Sequence, residues 1–296
     1  MLITEKLKEP KHSEMDQALS VFFLENSEQL EELSARMIAQ QIYTAPSTVV
    51  RFCQRLGFKG FNDFKKAYLD EQNYLNAHFK DIDPNAPFSS RDRYVTIASK
   101  LSALYHETAV DTLSLLNHDI LQQVTQMLHQ SDTIYICSAG DSLEAGRTFK
   151  NRMIKIGKQV IVEERTDNMF YQACYATTKA CFIVISYSGE TERILRTAKK
   201  LAERRIPTIA ITSYGENTLS DLISCVIYIS TREKLIDNLG NFSAMLSISY
   251  ILDTVYACMF NENYQTNREN KQNFSLENEL YRKSNNPIIA DKFRNM

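Results

Sequence analysis

Three hydroxyls and a glycine stand close together at Ser186, Ser188, Gly189 and Thr191, between the apolar run Cys181–Ile185 and a helix-forming stretch from Glu192 to Arg204. At the carboxyl end of a parallel strand, the free amides of the next helix point outward with the positive end of its dipole, and neighbouring hydroxyls donate to phosphate oxygens. Gly189 lets the backbone approach such an anion. An ordinary strand-to-helix turn capped by Ser has the same composition, and chain position alone does not separate the two readings. A second loop, Ser138-Ala139-Gly140-Asp141-Ser142, follows the apolar run Thr133–Cys137 and opens onto the same sheet edge. In doubly wound sheets ligands bind outside the carboxyl ends of the strands, and strands one and three flank that crevice.

The expected ligand is therefore a small phosphorylated molecule where the loop with Ser138, Gly140 and Ser142 meets the loop with Ser186, Ser188, Gly189 and Thr191. Neither loop carries the G-x-x-x-x-G-K-[ST] or G-x-G-x-x-G pattern, which disfavours a nucleotide there. All five histidines, His12, His78, His106, His118 and His129, precede the sheet, and acids such as Glu144, Glu163, Glu164, Asp167 and Glu190 read as solvated loop residues. Binding is thus preferred over catalysis. No metal or cofactor is expected: Cys53, Cys137, Cys174, Cys181, Cys225 and Cys258 are scattered without a C-x-x-C pair and read as reduced packing residues.

A different chemistry is carried by Pro46 to Gly57. Pro stands at a first helical position and Gly past the end. Val49, Phe52, Cys53 and Leu56 form an inward stripe, while Ser47, Thr48, Arg51 and Arg55 share the other side. Such a face suits a helix in the major groove, where Arg reads guanine and hydroxyls reach phosphates; a solvated charged face is the plainer alternative. Residues 1–80 hold ten basic and eleven acidic side chains, so bulk charge gives no support, but residues 47–66 set Arg51, Arg55, Lys59, Lys65 and Lys66 against Asp63 alone.

The elements that must position these groups follow from apolar periodicity. Met15, Leu19, Phe22 and Phe23 predict a helix over 14–25, and Ser27 and Ser34 are placed as caps of the next two helices. Residues 81–92 read as a linker. Helical stripes resume at Ile97, Leu101, Leu104 and Tyr105, then at Ile120, Val124, Met127 and Leu128. From there β-rich runs at 133–138, 158–163, 180–186, 207–212 and 225–230 alternate with helix-length stretches, the pattern of a five-stranded parallel sheet covered on both faces. The apolar stretch 244–260, interrupted by Ser247, Ser249, Asp253 and Thr254, reads as a buried helix rather than a membrane span. The chain has 296 residues with 44% hydrophobic and 24% charged side chains, and a formal net charge of -2, which excludes a disordered or collagenous chain. Its first ten residues lack an apolar signal segment, and a cytoplasmic location is expected.

These residues resemble the RpiR/MurR type of bacterial transcription regulator, a helix-turn-helix followed by a sugar isomerase (SIS) domain. The likeness is carried by Met37-Ile-Ala39, Pro46-Ser-Thr-Val-Val-Arg-Phe52, Arg55-Leu-Gly-Phe58 and Gly60-Phe61, then by Gly140-Asp-Ser142, Ile185-Ser-Tyr-Ser-Gly-Glu-Thr191 and Ile209-Ala-Ile-Thr212. Three positions depart from the pattern: Tyr43 stands where the turn usually has Gly, Ala45 where a capping Ser is common, and Ser138 where Gly is frequent.

The resemblance implies an all-α helix-turn-helix domain over 1–80, a linker and connecting helix over 81–106, a flavodoxin-like α/β SIS domain over 107–262 and a polar tail over 263–296. That tail is expected to be disordered or an added surface helix. Ser186, Ser188 and Thr191 would hold the phosphate of a sugar, with Ser138 and Ser142 contributing. Ser47, Thr48, Arg51, Arg55 and Lys59 would face operator DNA. A homodimer or homotetramer is expected, since one small head makes few phosphate contacts. The rival reading is a sugar-phosphate isomerase or lyase whose helical domain is an oligomerisation arm.

Overall fold

Helix-forming stripes fill the first quarter of the chain, and the computed structural model, which describes residues 3–9, 13–78, 82–278, 286 and 288, folds them into a helical head. It contains α1 (Ile3–Lys8), α2 (Glu14–Glu25), a 3-10 helix (Ser27–Glu32), α3 (Ala35–Gln41), α4 (Pro46–Arg55) and α5 (Phe61–His78). Phe23 is the hub of the head core, with ring centroids 6.0 Å from Phe52 and 4.7 Å from Phe64, and Leu19, Leu30, Ile38, Val49 and Tyr68 close around it.

Ser34 caps α3, its hydroxyl accepting from the Met37 amide at 3.3 Å. Ser27 is not a cap: it is the first residue of the 3-10 helix, whose cap position is Asn26 without a side-chain bond. Asn26 instead closes α2, its Nδ2 donating to the Phe22 carbonyl at 2.9 Å. The short stretch left before the Ser34 cap favours the tighter helix.

α4 starts on Pro46 with Ala45 making no cap bond, and Gly57 follows it at φ 101°. In the turn before α4, Tyr43 sits in the left-handed region at φ 55° with its side chain 94% exposed. Tyr43→Gly therefore loses no packing and relieves left-handed strain, partly offset by unfolded-chain entropy. We expect about 0.5–1 kcal/mol of added stability, read as a higher urea midpoint, with no gain from Tyr43→Ala.

The second unit begins with α6 (Tyr94–Ser114) and α7 (His118–His129) and continues as β1 (Thr133–Cys137), α8 (Ser142–Met153), β2 (Gln159–Glu163), α9 (Thr166–Tyr175), β3 (Ala180–Ile185), α10 (Glu192–Glu203), β4 (Thr208–Ser213), α11 (Thr218–Leu222) and β5 (Cys225–Ile229). α12 (Phe242–Glu262) and α13 (Tyr264–Asn278) follow. The five strands are all parallel in the order β2-β1-β3-β4-β5, with Ile134 beside Cys181 and Cys137 beside Val184. All six residues of β3 are buried, as an unbroken apolar run requires when helices cover both faces. One core holds Val124, Leu128, Phe149, Met153, Ile251 and Leu252; the other holds Met169, Ala173, Ile194, Ala198, Leu201 and Leu219. The order reverses between β1 and β3, so the connections leaving these strands diverge and open a crevice at their carboxyl ends.

α12 is long and apolar enough to cross a bilayer by length and composition. It packs inside this unit through Ile248, Ile251, Leu252, Val255 and Met259. Hydroxyl pairs join it to α6, Thr108 to Ser243 at 3.0 Å and Thr112 to Ser247 at 2.9 Å. α13 buries no side chain, so a surface helix forms the first part of the polar tail, whose remainder lies almost wholly outside the described residues.

The segment before α6, read from sequence as a linker, is docked. Asn85 accepts from the Leu239 amide at 2.9 Å and, through its side chain, from the Lys234 amide at 2.7 Å. The buried Arg232 guanidinium donates to the Ile82 carbonyl at 3.2 Å and to Glu107 at 2.7 Å, and Phe88 meets Phe242 edge-on. These partners lie some 150 positions away in the chain, so local composition shows only the turn residues and not the surface that receives them.

Candidate functional site

The loops after β1 and β3 converge on one cavity of about 320 Å³. Gly140, Ser142, Ser186, Ser188 and Thr191 lie on its wall beside Asp141 and Tyr187, and Leu235, Asn241, Ala244, Met245 and Ile248 close the other side. Ser138 and Gly189 stand behind that wall. Ser138 is fully buried and shares a hydrogen bond with the Ser142 hydroxyl, which also donates to the Ala139 carbonyl at 2.9 Å.

Two helices start at this cavity without side-chain caps. Asp141 precedes α8 and makes no cap bond; Thr191 precedes α10 and instead pairs its hydroxyl with Ser186 at 3.0 Å. Their first-turn amides therefore supply positive potential where the hydroxyls gather, and the wall offers an anion hydrogen-bond donors rather than ammonium or guanidinium groups. The contrast with α12 is instructive. There the buried Glu233 carboxylate accepts from the Ser243 and Ala244 amides at 2.9 and 2.8 Å, so that helix end is already filled.

Tyr187 joins the two sides of the cavity. Its hydroxyl donates to the Glu233 carbonyl at 2.8 Å and accepts from the Glu233 amide at 3.0 Å, and burial pushes its phenol above the usual range. Behind the loop, Glu190 accepts from the Thr218 amide and hydroxyl, each at 2.8 Å, and the Gly189 carbonyl accepts from Leu219 at 3.1 Å.

Gly189 has φ 68°, and a Cβ there would lie 2.0 Å from Asn217 Oδ1. That oxygen caps α11, in a reciprocal box with Ser220. Gly189→Ala combines left-handed strain with loss of a cap and should cost about 2–4 kcal/mol in denaturant unfolding. Gly157→Ala is the control, with φ 77° and nothing within 4 Å of the added Cβ. A cost at Gly189 no larger than at Gly157 refutes the close-approach argument.

On the head, α4 turns Val49, Phe52 and Cys53 inward, while Leu56 is only partly covered. Ser47, Arg51, Arg55 and Lys59 face outward and Thr48 is half-buried. The basic patch is smaller than a charge count over 47–66 suggests. Arg55 is paired with Asp16 on α2, and Lys65 donates to the carbonyls of Glu31 and Leu33 at 2.6 and 2.9 Å. Arg51, Lys59 and Lys66 remain exposed, their side chains without carboxylate partners among the described residues.

Burial raises the thiols of Cys53, Cys137 and Cys181 to about 12, which suits packing and not nucleophilic work. Among the described residues no three His, Cys, Asp or Glu side chains gather as metal ligands.

Residues 1–73 match the helix-turn-helix domain of the rpiR family, and residues 127–257 match the SIS domain. The chain carries the helix-turn-helix and SIS domain pair of rpiR-type regulators. That pair makes it a transcription regulator with a helix-turn-helix head and a SIS domain. An uncharacterized HTH-type transcriptional regulator of Haemophilus influenzae is 26% identical over 80% of this chain and 81% of its own length. The Bacillus subtilis regulator YbbH, likewise uncharacterized, is 23% identical over 85% of this chain and 87% of its own. The same fold recurs in the Vibrio vulnificus NanR protein, solved with ManNAc-6P, at TM-score 0.60 and 21% identity, covering 94% of this chain and 99% of that one. It recurs too in the sugar isomerase domain of an RpiR transcription factor from Sphaerobacter thermophilus, at TM-score 0.53 and 12% identity, over 60% of this chain and 97% of that domain.

Sequence reasoning missed the far side of the cavity. Leu235, Asn241 and Met245 come from the loop before α12 and from its first turns. Asn241, in the left-handed region at φ 50°, offers one signal: the Asn-Leu-Gly-Asn run 238–241 is rich in residues that tolerate such a turn.

Proposed function

We propose that this regulator binds operator DNA through α4 and that a phosphorylated sugar, in the cavity between the β1 and β3 loops, sets its operator affinity. The observation that carries the reading is the convergence of two uncapped helix starts with Ser142, Ser186, Ser188 and Thr191 on one wall, in a chain that also has a helix-turn-helix head. The ManNAc-6P complex of NanR supports an amino-sugar phosphate as the first ligand class to try. Binding is favoured over turnover, since the one carboxylate on the wall, Asp141, is exposed and the Tyr187 hydroxyl is committed to the Glu233 backbone. Ser138 and Gly189 serve from behind, one steadying Ser142 and the other letting the loop pass Asn217.

Two connections couple the cavity to the head. The loop carrying Leu235 holds Asn85 in the segment that leads from the head, and Glu190 holds Thr218, next to the Asn217 cap and Glu216, which pairs with Lys6 of α1. A ligand that favours one arrangement of these loops by about 1–3 kcal/mol changes operator affinity roughly 5- to 150-fold. Two heads on a two-fold-symmetric site supply enough contacts, and the exposed Val95, Tyr105, Val110 and Leu113 of α6 are the self-association surface we favour.

The test is fluorescence anisotropy of the full chain on DNA from upstream of its own gene, against a scrambled duplex, with amino-sugar and sugar phosphates titrated in. Selective binding that shifts with one sugar phosphate supports the reading. Sugar-phosphate turnover without selective DNA binding replaces it with an SIS enzyme.

A further inference from the structure

α10 presents Ile194, and the residue before the helix, Thr191, also faces the serine cavity, but Arg193 and Arg196, one turn apart, line a second and larger cleft of about 490 Å³. Arg165, Thr166, Phe170 and Tyr171 supply its other wall. We propose that this cleft is a second anion site, taking a phosphorylated small molecule that carries a ring. Nothing in the reading of the serine cavity depends on it.

Charge is the first argument. Three guanidinium groups face one acid, Asp167, and that acid is engaged by Arg165, whose Nε and Nη2 donate to its two oxygens at 3.1 and 2.6 Å. The pairing holds the Asp167 carboxyl down at about 2, so it stays ionised beside Arg165 at neutral pH. Neither Arg193 nor Arg196 has a carboxylate partner among the described residues. Counted over the residues that line it, the cleft thus keeps a surplus of two positive charges.

Shape is the second. The Arg196 guanidinium lies 5.8 Å from the centre of the Phe170 ring, an arrangement that restrains a long side chain before any ligand arrives. Tyr171 is 62% exposed, leaving one aromatic face open. Planar guanidinium forks match phosphate oxygens, and a ring can lie on Tyr171 while the phosphate meets the arginines. A volume of this order is that of a small-molecule site. Nucleoside phosphates and sugar phosphates share the required chemistry, and the probes below tell them apart.

Isothermal titration calorimetry on the full chain tests the proposal with pyrophosphate, AMP and glucose 6-phosphate as probes. The serine cavity is silenced by S186A/S188A. We expect that variant to bind at least one probe at one site per chain, and R193A/R196A added to it to weaken that binding at least tenfold. Tighter binding of AMP assigns a nucleoside phosphate, and tighter binding of glucose 6-phosphate a second sugar phosphate. Should the serine double variant not fold, R193A/R196A alone, which alters only exposed side chains, is compared with the wild type, and one of two phosphate sites per chain should vanish. No binding of any probe outside the serine cavity overturns the proposal. So does binding that R193A/R196A leaves unchanged, or a loss confined to duplex DNA.

Discussion

Ser186→Ala combined with Ser188→Ala is expected to weaken sugar-phosphate binding by roughly 10²- to 10⁴-fold, as two hydrogen bonds to a charged group contribute about 1.5–3 kcal/mol each. The size of the effect follows from the wall: it offers hydroxyls and amides and no ammonium or guanidinium group, so nothing nearby compensates for the two lost donors. The fold should survive the change. Ser186 is held by its own backbone amide on Ile211, at 3.1 Å, and Thr191 retains the carbonyl that starts α10. Calorimetry against the effector, beside a thermal melt and DNA binding without ligand, checks all three expectations. Unchanged affinity in a folded variant rejects the phosphate assignment. Loss of ligand response with intact basal DNA binding is the outcome that joins the cavity to regulation.

The two serine loops were legible in the sequence for a physical reason. Parallel strands buried on both faces are written as unbroken apolar runs, and whatever follows such a run stands at the carboxyl edge of the sheet. Cys181–Ile185 and Thr133–Cys137 are such runs, and the loops after them meet in one cavity as their neighbouring registers require. Residues 231–241 have no period to read. Their position is set by Tyr187 on Glu233 and by Asn85 on Lys234, contacts between residues 46 and 149 positions apart. The side of the cavity that carries Leu235 and Asn241 is therefore a tertiary product, and so is the docked segment before α6. Ser27 shows the opposite limit. A hydroxyl with the right neighbours still caps nothing when Asn26 has turned back to close the preceding helix.

Arg51 and Arg55 look equivalent one turn apart on α4, yet the fold makes them unequal, and DNA binding should report the difference. Arg55 is held by Asp16, while Arg51 is exposed without a carboxylate partner among the described residues. On the proposed operator contact, Arg51→Ala is expected to cost about 1–3 kcal/mol at each half-site, and on the proposed two-headed complex about 2–6 kcal/mol, or roughly 30-fold to beyond 10⁴-fold in operator affinity. Arg55→Ala should cost less, because its guanidinium must first leave Asp16 to reach the groove. The deciding variant is Asp16→Ala. Removing that carboxylate releases Arg55 and takes a negative charge from beside the groove, so DNA should bind more tightly, with a salt dependence steeper by about 0.9 for each extra phosphate neutralised. If Arg55 is instead only a brace between α2 and α4, Asp16→Ala and Arg55→Ala should lower thermal stability alike and leave the salt slope alone. Anisotropy titrations of the three variants at several salt concentrations separate a reading arginine from a structural one.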